Sequence, residues 1–250
     1  MMRLEGKAAI VTGSGRGIGR AIALKYAQEG ANVLVNYTAN PKTAEETAHE
    51  IEKLGRKTVV VKADVAKKED CDNMVKAAVD QFGRLDILVN NAGISDPGML
   101  LKMPEEKWDR VVDIHLKGAF LCTQAAANYM KDQKYGRILN VISTAGIYGT
   151  VGQINYASAK AGLIGFTKSA SRELGRFGIT VNAIYIGIIE TEMTETIRTD
   201  PKFKETYLSR IQLARFGTVD DVAPAFVFFA SDEANWITSQ VIGVDGGYVG

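Results

Sequence analysis

Ala8-Ala9-Ile10-Val11-Thr12-Gly13-Ser14-Gly15-Arg16-Gly17-Ile18-Gly19 is the stretch on which the reading of the fold turns. Four apolar residues in a row suit a short strand buried on both faces. The glycines that follow let the backbone turn sharply and let a diphosphate come close. A helix opening near Gly17 supplies free N–H groups and a partial positive charge. The spacing is neither the G-x-G-x-x-G fingerprint nor a P-loop with its Gly-Lys-Ser/Thr ending. Position between a strand and a helix is what points to phosphate binding by Gly13, Ser14, Arg16, Gly17, Ile18 and Gly19. The plain alternative is a glycine turn serving only a tight corner.

Outward from this corner the pattern repeats. Apolar runs at 32–36, 58–61, 85–89, 137–142, 180–184 and 240–244 read as strands. Between them, helical patterns run from Gly17 to Gln28 and from Pro41 to Leu54, and a third, preceded by Asp64, ends near Gly83. Others run from Pro104 to Lys131 in one or two pieces, from Asn155 to Phe177, and from Val219 to Ala230, where Thr218 is a suitable N-cap. This alternation predicts one α/β domain with a doubly wound, parallel, seven-stranded sheet and right-handed crossovers. Residues 190–215 are polar and helix-prone and have no evident sheet partner; they are expected to form a small lid.

The chain has 250 residues, enough for a substantial core, with 46% hydrophobic and 24% charged residues and a formal net charge of +1. Nothing global points to nucleic acid or an anionic membrane. Two cysteines, Cys71 and Cys122, do not make a disulfide framework or a zinc site, and two histidines do not make a histidine-rich metal site. No metal is expected. The N-terminal residues lack a signal-like apolar run, and no window reaches 18 apolar residues, so cytoplasm is the expected location.

Three further groups carry chemistry. The second strand ends Val35-Asn36-Tyr37-Thr38, with no carboxylate for a ribose 2′-hydroxyl, while Arg16 sits in the glycine loop. A cation without an opposing anion favours a 2′-phosphate, hence NADP(H), with Asn36 beside it. Ser143 closes the fifth strand, where a hydroxyl can donate to a carbonyl oxygen gaining charge. Tyr156 and Lys160 lie one helical turn apart. A lysine cation about 4 Å away, at an effective dielectric of about 20, favours a phenolate by roughly 4 kcal/mol. The pair is therefore expected to give a phenol able to exchange a proton near neutrality.

Taken together, Thr12-Gly-x-x-x-Gly-x-Gly19, Asn90-Asn-Ala-Gly93, Ser143 and Tyr156-x-x-x-Lys160 resemble the short-chain dehydrogenase/reductase family over essentially the whole chain. Within it, Ile164–Ser169, Gly178–Asn182 and Ile189–Met193 are most similar to the 3-oxoacyl-acyl carrier protein reductases. The resemblance implies that Tyr156 donates the proton, Lys160 lowers its pKa and bonds the nicotinamide ribose, and Ser143 steadies the substrate carbonyl. It implies Asp64 and Val65 at the adenine, Asn91, Ala92 and Gly93 at the adenine ribose, and Ile189 and Thr191 at the carboxamide. It further implies a homotetramer and a ketone substrate carried on an acyl carrier protein. A free alcohol, sugar, cyclic ketone or acyl-CoA is the rival substrate, and a non-catalytic NADP-binding sensor the rival from another class.

Two positions depart from the family pattern. His115 stands where an Asn is usual, at a helix kink beside the lysine, and is a candidate catalytic residue or a packing one. Ile186 stands where a proline is usual, next to Tyr185, which is either substrate wall or packing. Lys134, Arg172 and Arg176 are candidates for meeting an acidic carrier protein near the site's mouth.

Overall fold

A computed structural model describes residues 2–250. Seven strands form one parallel sheet: β1 (Ala8–Val11), β2 (Asn32–Tyr37), β3 (Thr58–Lys62), β4 (Ile87–Asn90), β5 (Gly136–Ser143), β6 (Ile179–Ile186) and β7 (Val241–Val244). Their spatial order is β3-β2-β1-β4-β5-β6-β7. The chain winds outward from β1 to β3, then returns to β4 and winds the other way. The carboxyl ends of β1 and β4 therefore diverge into loops on opposite faces, which leaves a crevice at that end of the sheet.

The helices are α1 (Gly17–Gln28), α2 (Pro41–Lys53), α3 (Lys68–Phe82), α4 (Glu105–Val112), α5 (Gly118–Gln133), α6 (Thr144–Tyr148), α7 (Ile154–Leu174), α8 (Glu195–Thr199), α9 (Pro201–Leu208) and α10 (Val219–Ala230). Alternation along the strands divides the core. Val33, Val35, Ile87, Val89, Leu139 and Ile184 face one side with Ile22, Tyr26, Ile51 and Phe226 of α1, α2 and α10. Ile10, Leu34, Leu88, Ile138 and Val181 face the other, with Met74, Val75, Cys122 and Met130 of α3 and α5. Tyr26 is fully buried, and its hydroxyl donates to the Phe226 carbonyl at 3.1 Å, so α1 and α10 are joined by a polar bond within an apolar layer.

The expected long helix between 104 and 131 is two helices. α4 and α5 are joined by one wider, π-helical turn at Asp113–Lys117, which places His115 inward at the kink. α6 follows Ser143 directly and is not evident from the sequence. The 190–215 segment folds as α8 and α9, and its downstream end is tied back by a bridge between Ile211 and Tyr248. Among the described residues no helix is long and apolar enough to cross a membrane.

Candidate active site

The glycine corner is built as a cradle. Gly13 and Gly17 take left-handed backbone angles, with φ of 65° and 55°. A Cβ on Gly19 would stand 2.4 Å from Asn91 Nδ2 and 2.5 Å from the Gly13 carbonyl, so only glycine lets α1 start this close to the loop. No side chain caps α1, which leaves its N-terminal N–H groups aimed at the crevice. These features fit a diphosphate. Ile18 packs on the core below.

Ser14 and Asn36 serve this cradle from inside. Both are buried. The Asn36 side chain accepts from the Gly13 N–H at 2.9 Å and donates to the Val61 and Ala63 carbonyls, while its own N–H donates to Ser14 Oγ at 3.0 Å. The amide of Asn36 is thus turned into the protein, shaping the loop rather than facing the crevice. Arg16 points outward and pairs with Glu192 at 2.9 Å.

Across the crevice, the Thr12 hydroxyl donates to the Val89 carbonyl and accepts from the Asn91 and Ala92 N–H groups, both at 2.9 Å. The Asn91 amide donates to the Thr12 carbonyl at 2.8 Å. Thr12, which the sequence placed at the head of the glycine motif but gave no role of its own, thereby fixes the loop Asn91–Gly93 against β1. Asp64 is held by its N–H to Asp70 at 2.8 Å, and Val65 is buried against Gly118. Ile189 is buried and pairs in parallel with Gly217, and the Thr191 methyl lies over Gly17.

Ser143 ends β5, and its hydroxyl accepts from the Ala145 N–H as the cap of α6. α7 begins beside it and carries Tyr156 and Lys160 on one face. Burial raises the Tyr156 pKa, and the nearby Ser143 hydroxyl, which favours the ionised form, only partly offsets this. Lys160 is 3% exposed; its ammonium donates to the Val141 carbonyl at 2.7 Å, and burial lowers its pKa to about 7. Its nitrogen lies 5.6 Å from the centre of the Tyr156 ring. The sequence led us to expect a lysine-dominated depression of the phenol. In this arrangement desolvation is the larger effect on both groups.

His115 is 4% exposed. Its Nε2 contacts the N–H and the carbonyl of Ile94, at 3.0 and 2.9 Å. Burial, then the Lys160 charge, lower its pKa to about 3, against a raising hydrogen bond from the Ile94 backbone. The ring rests directly on Gly93, where a Cβ would come within 2.2 Å of Cε1. Among the described residues its Nδ1 has no partner, nor does the buried Asn90 Oδ1; both residues line a small cavity with Thr12, Cys122 and Lys160.

Asn155 is a second residue the sequence reading passed over. It is fully buried, donates to the Asp96 and Lys107 carbonyls and accepts from the Tyr156 N–H, so it sets the entry of α7. An amide at a helix start was the available signal. Tyr185 packs on Gly243 of β7, where a Cβ would meet its ring at 2.4 Å. Ile186 is buried at the end of β6. The basic residues Lys134, Arg172 and Arg176 lie elsewhere than expected. α7 runs from the crevice to the opposite end of the sheet, so Arg172 stands about 24 Å along it from Tyr156 at 1.5 Å per residue. Lys134 is at that same far end, against Gly178.

Comparison with known proteins agrees with this geometry. A family model described as enoyl-(acyl carrier protein) reductase matches residues 13–249. The chain is 48% identical over 241 residues to a 3-oxoacyl-(acyl-carrier-protein) reductase of Staphylococcus aureus strain Mu50, covering 96% of this chain and 97% of that one. It is 46% identical to the Thermotoga maritima protein of the same name, over 99% of this chain and all of that one. Among solved structures, a Sinorhizobium meliloti protein assigned as a short-chain alcohol dehydrogenase superposes with a TM-score of 0.95 at 39% identity, covering 99% and 98% of the two chains. An Agrobacterium tumefaciens protein assigned as a gluconate dehydrogenase superposes with a TM-score of 0.94 at 32% identity, covering 98% and 97%. A glycine cradle facing a Ser143, Tyr156 and Lys160 cluster across one parallel sheet, with this similarity over its whole length, makes the chain a member of the short-chain dehydrogenase/reductase family of oxidoreductases.

Proposed function

We propose that the protein reduces a 3-oxoacyl thioester, carried on an acyl carrier protein, to the 3-hydroxyacyl product with NADPH. The observation that carries this reading is the convergence of Ser143, Tyr156 and Lys160 at the carboxyl end of β5, beside the glycine cradle. The relatives named for this reaction are the more similar in sequence, at 46–48%, against 39% and 32% for the two dehydrogenase structures.

The dinucleotide, when bound, supplies the hydride. The N–H groups from Gly15 to Gly19 would hold its diphosphate, since those of Gly13 and Ser14 are bonded to Asn36. Arg16 faces the 2′-phosphate, and no carboxylate stands at 36–38 to repel it. Asp64 and Val65 border the adenine, Asn91 to Gly93 the ribose, and Ile189 and Thr191 the carboxamide. Ser143 donates a hydrogen bond to the substrate oxygen as charge develops there. Tyr156 gives the proton. Burial keeps its phenol protonated at neutral pH, the form that reduction consumes, and the Ser143 hydroxyl limits the cost of leaving it ionised. Lys160, with a pKa of about 7, is poised to return that proton. His115 stays neutral and acts as a positioning residue, holding the Tyr156 ring and the 93–94 backbone.

The same reading takes residues 190–215 as a lid on a single-domain enzyme of the cytoplasm. It also takes the enzyme as a homotetramer. The exposed Phe120 and Tyr129 of α5, and the exposed Trp236 and Ile242 at the β7 edge, offer apolar surface for two kinds of contact.

The deciding experiment is initial rate with a short 3-oxoacyl thioester, NADPH against NADH, for wild type and Tyr156→Phe. NADPH-dependent turnover that falls by about 10²- to 10⁴-fold in the variant is expected for loss of a general acid. Equal turnover with NADH overturns the cofactor reading. Turnover of free alcohols or sugars in place of the thioester overturns the substrate reading.

A further inference from the structure

Cys71 and Cys122 are the only cysteines of the chain, and they are 51 residues apart in sequence. The fold brings them together. Both side chains are 0% exposed, Cys71 on α3 and Cys122 on the packed α5, and their sulfurs are 3.5 Å apart. The thiols form a directed chain: Cys122 donates to Cys71 Sγ, and Cys71 donates to the Val65 carbonyl at 3.3 Å. Nothing in the reaction described above uses either sulfur.

Their position is what gives the pair consequence. Cys122 borders the small cavity that Lys160, His115, Asn90 and Thr12 also line, so the buried pair adjoins the catalytic crevice without opening to it. Cys71 holds the carbonyl of Val65. One residue earlier, the Asp64 N–H is held by Asp70, which lies next to Cys71 on α3. The Asp64–Val65 corner therefore rides on the first turn of α3.

We propose that Cys71 and Cys122 form a redox modification site, a buried dithiol that peroxide closes into a disulfide, weakening dinucleotide binding through the Asp64–Val65 corner. The second half rests on the dinucleotide reading given above; the first half does not. The chemistry balances with one hydrogen peroxide. One sulfur attacks the peroxide, its O–O bond breaks, and the product is a sulfenic acid and water. The second sulfur then attacks the sulfenic sulfur; the S–S bond forms, the S–O bond breaks and a second water leaves. Two thiols lose two protons and two electrons, and peroxide accepts both.

The asymmetry of the pair favours this route. The hydrogen bond from Cys122 lowers the Cys71 pKa, and the same bond raises that of Cys122. Cys71 is thus the better thiolate. Closing from 3.5 Å to a bonded S–S distance of about 2.0 Å moves the sulfurs together by roughly 1.5 Å, a shift that the two side chains and their helices share. It also removes the proton that Cys71 gives to Val65, leaving a buried carbonyl without its donor.

The full-length protein is treated with hydrogen peroxide, then denatured and alkylated with iodoacetamide. Before treatment two thiols take up the label. After it, the expected product takes up none, is lighter by two hydrogens and yields a linked peptide containing Cys71 and Cys122, all reversed by dithiothreitol. Cys71→Ser and Cys122→Ser, each tested separately, give no such link. Titration with whichever dinucleotide the reduced protein binds shows a severalfold weaker complex after oxidation and recovery on reduction. Thiols that stay reduced, or sulfurs that gain oxygen without linking, overturn the site. A disulfide with unchanged dinucleotide affinity overturns its coupling to the corner. Failure of the reduced protein to bind any dinucleotide counts against the functional reading instead and leaves the mass result standing on its own.

Discussion

The imidazole of His115 meets the Tyr156 ring edge-on, with centroids 5.1 Å apart and planes at 88°. A polar ring in this place is buried in its neutral form, because desolvation and the Lys160 charge both oppose protonation. The folded pKa of about 3 lies below the ordinary imidazole value of 6.5. The unfolded chain therefore binds the extra proton first as pH falls. Stability tied to this residue is complete above pH 6.5 and is lost progressively as pH falls toward 3. Thermal melts of wild type and His115→Asn from pH 7 to pH 4 should converge, the wild type losing more on acidification. Parallel curves would show that His115 titrates normally. The rate profile between pH 6 and 8 should carry no inflection that His115→Asn removes.

The sheet was legible because every strand is an apolar run between turn residues, and the helices follow at regular intervals. Ser143, Tyr156 and Lys160 were legible as a motif, and the structure does bring them together. Their electrostatics were not legible. Spacing places a cation near a phenol but says nothing about how dry the site is, and dryness decides both pKa directions here. Asn36 shows a second limit. Its position beside the glycine loop was clear, but the inward turn of its amide depends on the Val61 and Ala63 carbonyls of the neighbouring strand and the loop after it. The basic residues show a third: α7 spans the sheet, so nearness in sequence to Lys160 does not place Arg172 near the crevice.

Lys160 should leave its own mark on stability at higher pH. Its folded pKa of about 7 is below the ordinary lysine value of 10.5. Between these values the unfolded chain holds a proton that the folded chain has released, so stability rises with pH across that window. Lys160→Met should remove the rise and should be relatively more stable than wild type at pH 7 than at pH 9.5. Melting temperatures at both pH values, for both proteins, give the sign directly. The variant should also lose reductase turnover, since no other amine lines the cavity beside Val141.

Gly19→Ala tests the closeness of the cradle. The backbone angle at Gly19 is an ordinary one, so any cost is steric. The new methyl would press on Asn91 Nδ2 and the Gly13 carbonyl, both under 3.0 Å. Overpacking of this kind costs about 1–3 kcal/mol. The expected result is a lower denaturation midpoint together with loss of dinucleotide binding, because the displaced groups belong to the glycine loop and to the Asn91–Gly93 loop across the crevice. Gly165→Ala, on α7 with open space around it, should change neither.

Arg16 and Glu192 make the last test, and it concerns cofactor choice. The pair joins the glycine loop to the start of the 190–215 segment, with side chains 74% and 78% exposed. An exposed ion pair is worth about 0.2–1 kcal/mol. A 2′-phosphate at Arg16 must displace the Glu192 carboxylate and forfeit that amount, whereas a 2′-hydroxyl need not. Glu192→Gln should therefore tighten NADPH binding by up to about fivefold, which is the upper end of that range converted to an affinity ratio, and leave NADH nearly unchanged. Arg16→Ala should do the opposite, weakening NADPH far more than NADH. Dissociation constants for both dinucleotides, measured at low and at high salt, check the pattern: the gain from Glu192→Gln should shrink as salt screens the pair. If both variants shift NADH and NADPH equally, Arg16 is a lid contact only, and the preference for a 2′-phosphate must come from another part of the crevice.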